Sequence, residues 1–460
     1  METCEAPPPE TVAVPSAHKS STASANGDAV NGDAEAALAS KPSAGADVTS
    51  ALEPGAPAAA MSAEAGEDAA APAPFNRKKK RKVALFMAYV GAGYHGMQRN
   101  PGVPTIEDEL FKAIYAAGGI AEANSNDAGF NKLHWMRAAR TDKGVSAVGQ
   151  VVSLRMILDP PGMVERINES LPRQIRVFGY GRATNGFDAR KHCDKRRYEY
   201  ILPVWAFDPD VCLLSKEAGA AVAADGEVER DAAAAPRAAE DDSAAAALPE
   251  LSPAELAELE STAEAQSASY AFDAAEQARV TAILRQYEGT HNFHNFTVRT
   301  GAHEAQARRY ILSFRCEGVT EIAGSRWVRL VVVGQSFMLH QIRKMVGMAL
   351  AVARGLAPAD SIRQALLSRD TLHTPMAPEL GLFLDECYFD AYNTGFGERL
   401  HEALVLSDFQ RPVAEFKAAW LYPHIAQTDA TEHINASWIR QLHTLSFEPG
   451  AWALRSSGTR

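Results

Sequence analysis

The sequence predicts an α+β protein built as two related subdomains, each with a mixed or antiparallel sheet flanked by helices. Three observations predict it. Runs rich in β-branched and aromatic residues outnumber helical runs in each half, the two halves carry strand and helix runs of similar kind, and the connections read as partly antiparallel. The halves are residues 77–207 and 276–392. An acidic leader (1–76) precedes them, an acidic insert (208–275) separates them, and a helical extension (393–460) follows.

The leader holds 11 acidic residues against two basic ones, and the insert 16 against three. Both are rich in Ala, Pro, Ser and Glu and poor in aromatics, so neither buries enough apolar surface to offset the entropy of ordering it. Both are expected to be disordered. The whole chain of 460 residues carries a net charge of −11, which argues against a nucleic-acid partner. Once the two acidic stretches are set aside, the roughly 315 remaining residues carry about +11, and that objection disappears. The five cysteines (Cys4, Cys193, Cys212, Cys316, Cys387) form neither a CxxC pair nor a cluster, so neither a disulfide framework nor a zinc ribbon is expected. No run of 18 apolar residues and no secretory signal pattern occurs, and the chain is expected to be soluble and intracellular.

The leader ends at a basic cluster, Arg77 to Lys82, which reads as a nuclear-import signal, a phosphate-binding patch or a solvated charge run. A strand is predicted over Val83 to Val90. A helix follows over Thr105 to Gly119, with Thr105 as cap, apolar Leu110, Phe111 and Ile114, and a glycine stop. Strands are predicted at Val151 to Leu158, Ile175 to Gly181 and Arg197 to Val204, with a helix around Pro161 to Leu171 between the first two. After the insert come a helix (Ala274 to Tyr287), strands (Tyr310 to Cys316, Trp327 to Val333) and a helix from Met338 to Arg354. Phe416, Trp420, Tyr422, Trp438 and Leu442 suggest that the tail packs as helices onto the body.

Four constellations could carry chemistry. In RAARTDKGVSAVGQVVSL (Arg137 to Leu154), Asp142 sits on a turn that delivers into a strand. Cations at Arg140 and Lys143 favour its ionised form, which suits a nucleophile or base; a turn aspartate satisfied by backbone amides is the alternative. In HCDKRRYEYILP (His192 to Pro203), period-two spacing puts Tyr198 and Tyr200 on one face, either to stack on a base or to fill the core. In GQSFMLHQIRKMVGMALAVARG (Gly334 to Gly355), Met338, Ile342, Met345 and Ala349 form an apolar stripe with Arg343 and Lys344 beside it. His340 reads as a structural histidine. His291 and His294 in GTHNFHNFT lack further ligands, so no metal is expected.

In this order, YVGAGYHGMQRN, RAARTDKGVSAVGQVVSL, RRYEYILP, YEGTHNFHNFT, RRYILSF, GQSFMLHQIRKMVG and MAPELGLFLDE resemble the TruA class of tRNA pseudouridine synthases, specifically its eukaryotic multisite nuclear branch. The blocks cover most of residues 83–390. The chain has Met97 where bacterial members commonly carry tryptophan, and Ala139 where they carry glycine before Arg-Thr-Asp.

The resemblance implies isomerisation of uridine to its C-glycoside within RNA, held in a central basic cleft between the subdomains. It makes Asp142 the essential carboxylate acting at the ribose, Tyr198 the ring that stacks on the uracil, and Arg343 the cation that pairs with Asp142 and lowers its pKa. It assigns Arg140 to displacing the target base and Leu382 to apolar packing beside it. Lys79, Lys80, Arg99 and Lys195 are candidate phosphate contacts by charge and position. The implied reaction is redox-neutral, so no cofactor is expected. The implied partner is tRNA modified at several sites in the anticodon stem and loop region, with messenger or small nuclear RNA as further candidates. A monomer or homodimer is expected, resident in the nucleus, with a mitochondrial pool as an addition. A non-catalytic RNA-binding or chaperone protein of the same fold, or the sister branch with other target positions, are the alternatives.

Overall fold

The apolar run after the basic cluster forms β1 (Lys80–Tyr89), whose last eight residues are all buried. It pairs antiparallel with β3 (Ser146–Ile157) on one side and β4 (Ile175–Arg182) on the other. Between β1 and β3 come α1 (Ile106–Ala116), α2 (Asp127–Lys132) and the two-residue β2 (Met136–Arg137). Thr105 caps α1 as the pattern predicts, its Oγ1 accepting from the Asp108 N–H at 3.3 Å. After β3, α3 (Met163–Ser170) leads into β4, and β5 (Lys195–Pro203) closes the first half. The computed structural model describes residues 79–159, 161–214, 248–397, 399, 401–447 and 452. These belong to one compact unit, Pro74–Arg460. The leader, Arg77, Lys78 and residues 215–247 of the insert lie outside the described residues.

The insert needs a correction at its C-terminal end. Residues 253–266 form α4 (Pro253–Gln266), opened by a capping box in which the Ser252 N–H donates to Glu255 Oε2 at 2.8 Å. Glu260 on α4 meets His433 Nδ1 at 2.5 Å, and Arg440 donates to the Pro249 carbonyl at 3.0 Å. The insert's first residues are also held, since buried Arg354 donates to the carbonyls of Ala206 and Val211. An acidic, alanine-rich composition does not exclude a helix that docks through a few specific bonds.

The second half contributes α5 (Ala274–Leu284), β6 (Gly289–Asn292), β7 (Arg308–Ile322), β8 (Ser325–Gly334), α6 (Gln341–Ala353), α7 (Ser361–Leu367) and β9 (Leu382–Tyr388). In place of the separate sheets expected for two subdomains, the nine strands of the described residues join one mixed sheet in the order β4-β1-β3-β9-β5-β8-β7-β6, with β2 on β3, because each half lends a strand to the other. The halves exchange their central strands. β9, from the second half, lies parallel to β3, pairing Ser146 with Phe383, while β5, from the first half, lies antiparallel to both β9 and β8.

Both faces of the central strands are covered. Tyr200, Leu202 and Leu384 join the larger core with α1, α5 and α6, whereas Ile201, Phe383 and Val148 face the other way. That second face is closed by α8 (Gln410–Phe416) and α9 (Tyr422–Glu432) of the C-terminal extension, through Phe416, Leu421 and Ile425, while α10 (Ile434–Leu442) packs Trp438, Ile439 and Leu442 into the larger core. The tail is helical and docked, as its aromatics suggest, although Trp420 stays exposed.

Candidate active site

The turn bearing Asp142 connects β2 to β3, and buried polar groups hold it from below. Gln150 on β3 accepts from the Ala139 N–H (3.2 Å) and donates to the Ala139 carbonyl (2.9 Å), while Tyr89 on β1 shares a 2.8 Å hydrogen bond with Thr141. The YVGAGYHG segment lies directly against this turn. A Cβ at Gly91 would sit 2.4 Å from the Val145 carbonyl oxygen, and one at Gly96, where φ is +90°, would sit 2.6 Å from that of Thr141. Two glycines of the block therefore exist to let backbone meet backbone. Glu107, wholly buried on α1, accepts from the Arg99 N–H, the Trp135 indole and Arg137, which ties β2 to the same scaffold.

Above the turn is a cavity of about 560 Å³, the size of a site that takes one small molecule. Asp142, Arg140, Tyr198 and Leu382 all line it. They come from the turn before β3, from β5 and from the start of β9, so the strand exchange at the sheet centre assembles them. The Tyr198 ring is buried and stands edge-on to Phe337 at 5.3 Å, while Tyr200, two residues on, is a core residue whose hydroxyl donates to the Pro378 carbonyl at 2.7 Å. Tyr198 thus lines the cavity, while Tyr200 fills the core.

Burial raises the pKa of the Asp142 carboxyl above its ordinary value, and the charges of His340 and Arg343 pull it back only in part. This corrects the expectation that neighbouring cations lower it: desolvation outweighs them. Arg343 also points elsewhere. Its Nη2 lies 2.9 Å from Glu379 Oε2 and its Nε donates to the Ala377 carbonyl at 2.6 Å, so the expected Arg343–Asp142 ion pair is replaced by Arg343–Glu379. Lys344, expected beside Arg343 on the helix flank, is buried.

The four candidate phosphate contacts are not brought to the cavity. Arg99 is bound to Asp108 at 2.6 Å and lies over the rings of Phe111 and Phe130, and Lys195 is bound to Asp390 at 2.8 Å over the Tyr388 ring. Lys79 and Lys80 are exposed where β1 begins. The cavity's positive lining comes instead from Arg137, Arg140, Arg190, Arg196 and Arg309, with Asp142 as its one carboxylate among the described residues. Of these five, the sequence pointed to Arg140 and, as one of the basic residues before Tyr198 that could meet phosphate, Arg196. Arg196 straps the two sides together, donating to the carbonyls of Ala138 (2.8 Å) and Gln335 (2.6 Å). The pairs in RRYEYILP and RRYILSF were the available signal, since alternation on a strand sends one arginine of each pair to the cavity face.

His294 is bound to Asn292 and to the Asp370 carbonyl, as a structured loop requires. Among the described residues no group of three or more His, Cys, Asp or Glu could hold a metal ion. No described helix is long and apolar enough to cross a membrane.

Residues 283–390 match the family described as tRNA pseudouridine synthase. Over 399 residues, 86% of this chain, the sequence is 37% identical to the mouse (Mus musculus) pseudouridylate synthase 1 homolog, of which it covers 81%. This chain belongs to the tRNA pseudouridine synthase family. The human (Homo sapiens) pseudouridylate synthase 1 homolog is also 37% identical, over 82% of this chain and 76% of its own length. The tRNA pseudouridine synthase 1 of Saccharomyces cerevisiae is 37% identical over 73% and 66%. Members of the family are isomerases, and a cavity with one positioned carboxylate, an apolar wall and a buried ring is chemically suited to that work.

Proposed function

We propose that this protein isomerises uridines of tRNA to pseudouridine, with Asp142 as the essential carboxylate. The observation that carries the reading is the convergence of Asp142, Tyr198, Leu382 and Arg140 on one cavity where the two halves exchange strands. The reaction breaks the N1–C1′ bond, turns the uracil within the site and joins C5 to C1′, and the C5 proton is lost to solvent. Asp142 either attacks C1′ or assists cleavage by removing a proton at C2′; a carboxylate made more basic by burial serves both routes. Tyr198 and Leu382 sandwich the detached base and keep water from it. A stacked base is out of reach, so the nucleotide is drawn into the cavity, and exposed Arg140 occupies the place it leaves. Residues 77–207 and 276–392 form the two sides of a basic RNA-binding cleft, which favours targets in the folded anticodon region. Nuclear residence is inferred from the Arg77 to Lys82 cluster.

The test is tritium release from tRNA transcripts labelled at uridine C5, with the purified protein and Asp142→Ala side by side. Wild type is expected to release tritium, and the variant to bind tRNA but release none. Binding by both with release by neither, across a panel of transcripts, would place the protein among RNA-binding proteins that keep the fold.

A further inference from the structure

Asp142 and Glu379 both interact with Arg343, Glu379 by direct contact and Asp142 through its charge alone. Glu379 lies on the segment before β9 and leans over the Asp142 turn: a Cβ on Gly144 would be 3.4 Å from Glu379 Cγ. It holds the Arg343 Nη2 at 2.9 Å while its own side chain is 50% exposed, whereas that of Arg343 is 12% exposed and pinned to the Ala377 carbonyl. Asp142 feels the charge of Arg343 yet makes no ion pair with it, and remains a carboxyl destabilised by burial. The exposed partner is the one that can leave at little cost, because its pair with Arg343 is half in water.

We propose that Glu379 is a positioning residue that competes with Asp142 for Arg343, and that the phosphates of bound RNA, by repelling the Glu379 carboxylate, release Arg343 to Asp142. The inference rests on the reading of Asp142 as the essential carboxylate. It makes the free enzyme a resting form and the RNA-bound enzyme the paired form. The other charged and titratable groups around Asp142 are His340 from the cap of α6, Tyr198 and Arg196 from β5, Arg309 from β7, Arg190 before β5, and Arg137, Arg140 and Lys143 of the β2–β3 segment. Among the described residues none of these others is a carboxylate. Glu379 is the carboxylate that holds Arg343.

The test follows the Asp142 carboxyl by ¹³C NMR in the RNA-free full chain, with its resonance assigned by Asp142→Asn. Glu379→Gln is expected to lower the titration midpoint by about one pH unit, the size of effect a newly formed ion pair has on a carboxylate. Glu379→Asp is expected to stay near wild type. In an Arg343→Gln background, Glu379→Gln is expected to leave the midpoint where it was. With saturating tRNA, the single-turnover rate of Glu379→Gln is expected to equal that of wild type, because RNA has already moved the carboxylate aside. The proposal is overturned by an unchanged midpoint in Glu379→Gln, by an equal shift with and without Arg343, or by a saturated rate that differs from wild type. Full turnover by Asp142→Ala would instead remove the underlying reading, so the two failures are distinguishable.

Discussion

Asp142 is held in a state that costs the fold something. Its folded-state pKa is raised above the ordinary 3.8, so its stabilising contribution is fully present only below that value and is lost as pH rises through the raised one. At neutral pH the ionised carboxylate therefore works against folding. Asp142→Asn keeps the shape without the charge, and it is expected to melt at pH 7 no lower than wild type while releasing no tritium. A melting temperature clearly below wild type, measured by calorimetry, would mean that the ionised carboxylate is bound more tightly than its surroundings indicate. The same sign sets the acid limb of the kcat/KM profile, which reports the free enzyme and is expected above the range of an unperturbed aspartate.

At the scale of an element, the β2–β3 turn depends on its neighbours more than on its own sequence. Gly91→Ala drives a Cβ to 2.4 Å from the Val145 carbonyl oxygen and 2.6 Å from that of Gly144, so the turn must move. The expected cost is about 1–3 kcal/mol in urea unfolding, the usual penalty for an overpacked site. Activity is expected to fall by on the order of 100-fold, since displacement of about 1 Å at a reacting group costs that much. Gly186→Ala meets no heavy atom within 4 Å of its added Cβ and is the control, expected to match wild type in both assays. The β9 strand shows the same dependence. LFLDECY is short, carries two acids and lacks alternation, so its residues do not announce a strand. It is one because β3 and β5 leave a gap that it fills with both faces buried.

Across the whole molecule, the C-terminal extension is fastened to the sheet by charge as well as by packing. Lys417, between α8 and α9, reaches Asp385 on β9 at 2.6 Å and Glu199 on β5 at 2.9 Å, and Glu199, with no exposed surface, is also bound by Arg329 on β8. Burial alone would lower the pKa of Lys417, but Asp385 and Glu199 outweigh it and raise it. These carboxylates sit on the strands that carry Tyr198 and Leu382, so the extension stabilises the site from behind. Lys417→Met leaves Glu199 with only Arg329 and removes the closest cation from Asp385. The expected loss is about 3 kcal/mol, the lower end for breaking a buried ion pair, read by urea unfolding. A loss below about 1 kcal/mol would place the pair with solvent-screened bridges.

The amino-acid sequence by itself determined the α+β class and the cap of α1, but not the stripe of α6, since that helix begins at Gln341, leaves Met338 outside and is buried on nearly every side, Lys344 included. Asp142 and Tyr198 stand out in local patterns that leave two roles open for each, whereas the site roles of Arg140 and Leu382 came from the resemblance to the synthase family and not from local chemistry. The Ser252–Glu255 capping box lies in a stretch whose acidic composition pointed to disorder, and it went unread. The tertiary structure alone decided what depends on residues far apart in the chain. Arg343 and Asp142 are 201 positions apart, and nothing local says that Arg343 pairs with Glu379 instead. The neighbouring cations Arg140 and Lys143, and the Arg343 pairing that the resemblance implies, put the Asp142 pKa below its ordinary value, whereas burial, which only packing creates, put it above. Arg99 and Lys195 likewise read as free cations until folding brought Asp108 and Asp390 against them. Patterns within a few residues record local geometry; the partner of a charge, and the water it loses, are settled only when the chain closes on itself.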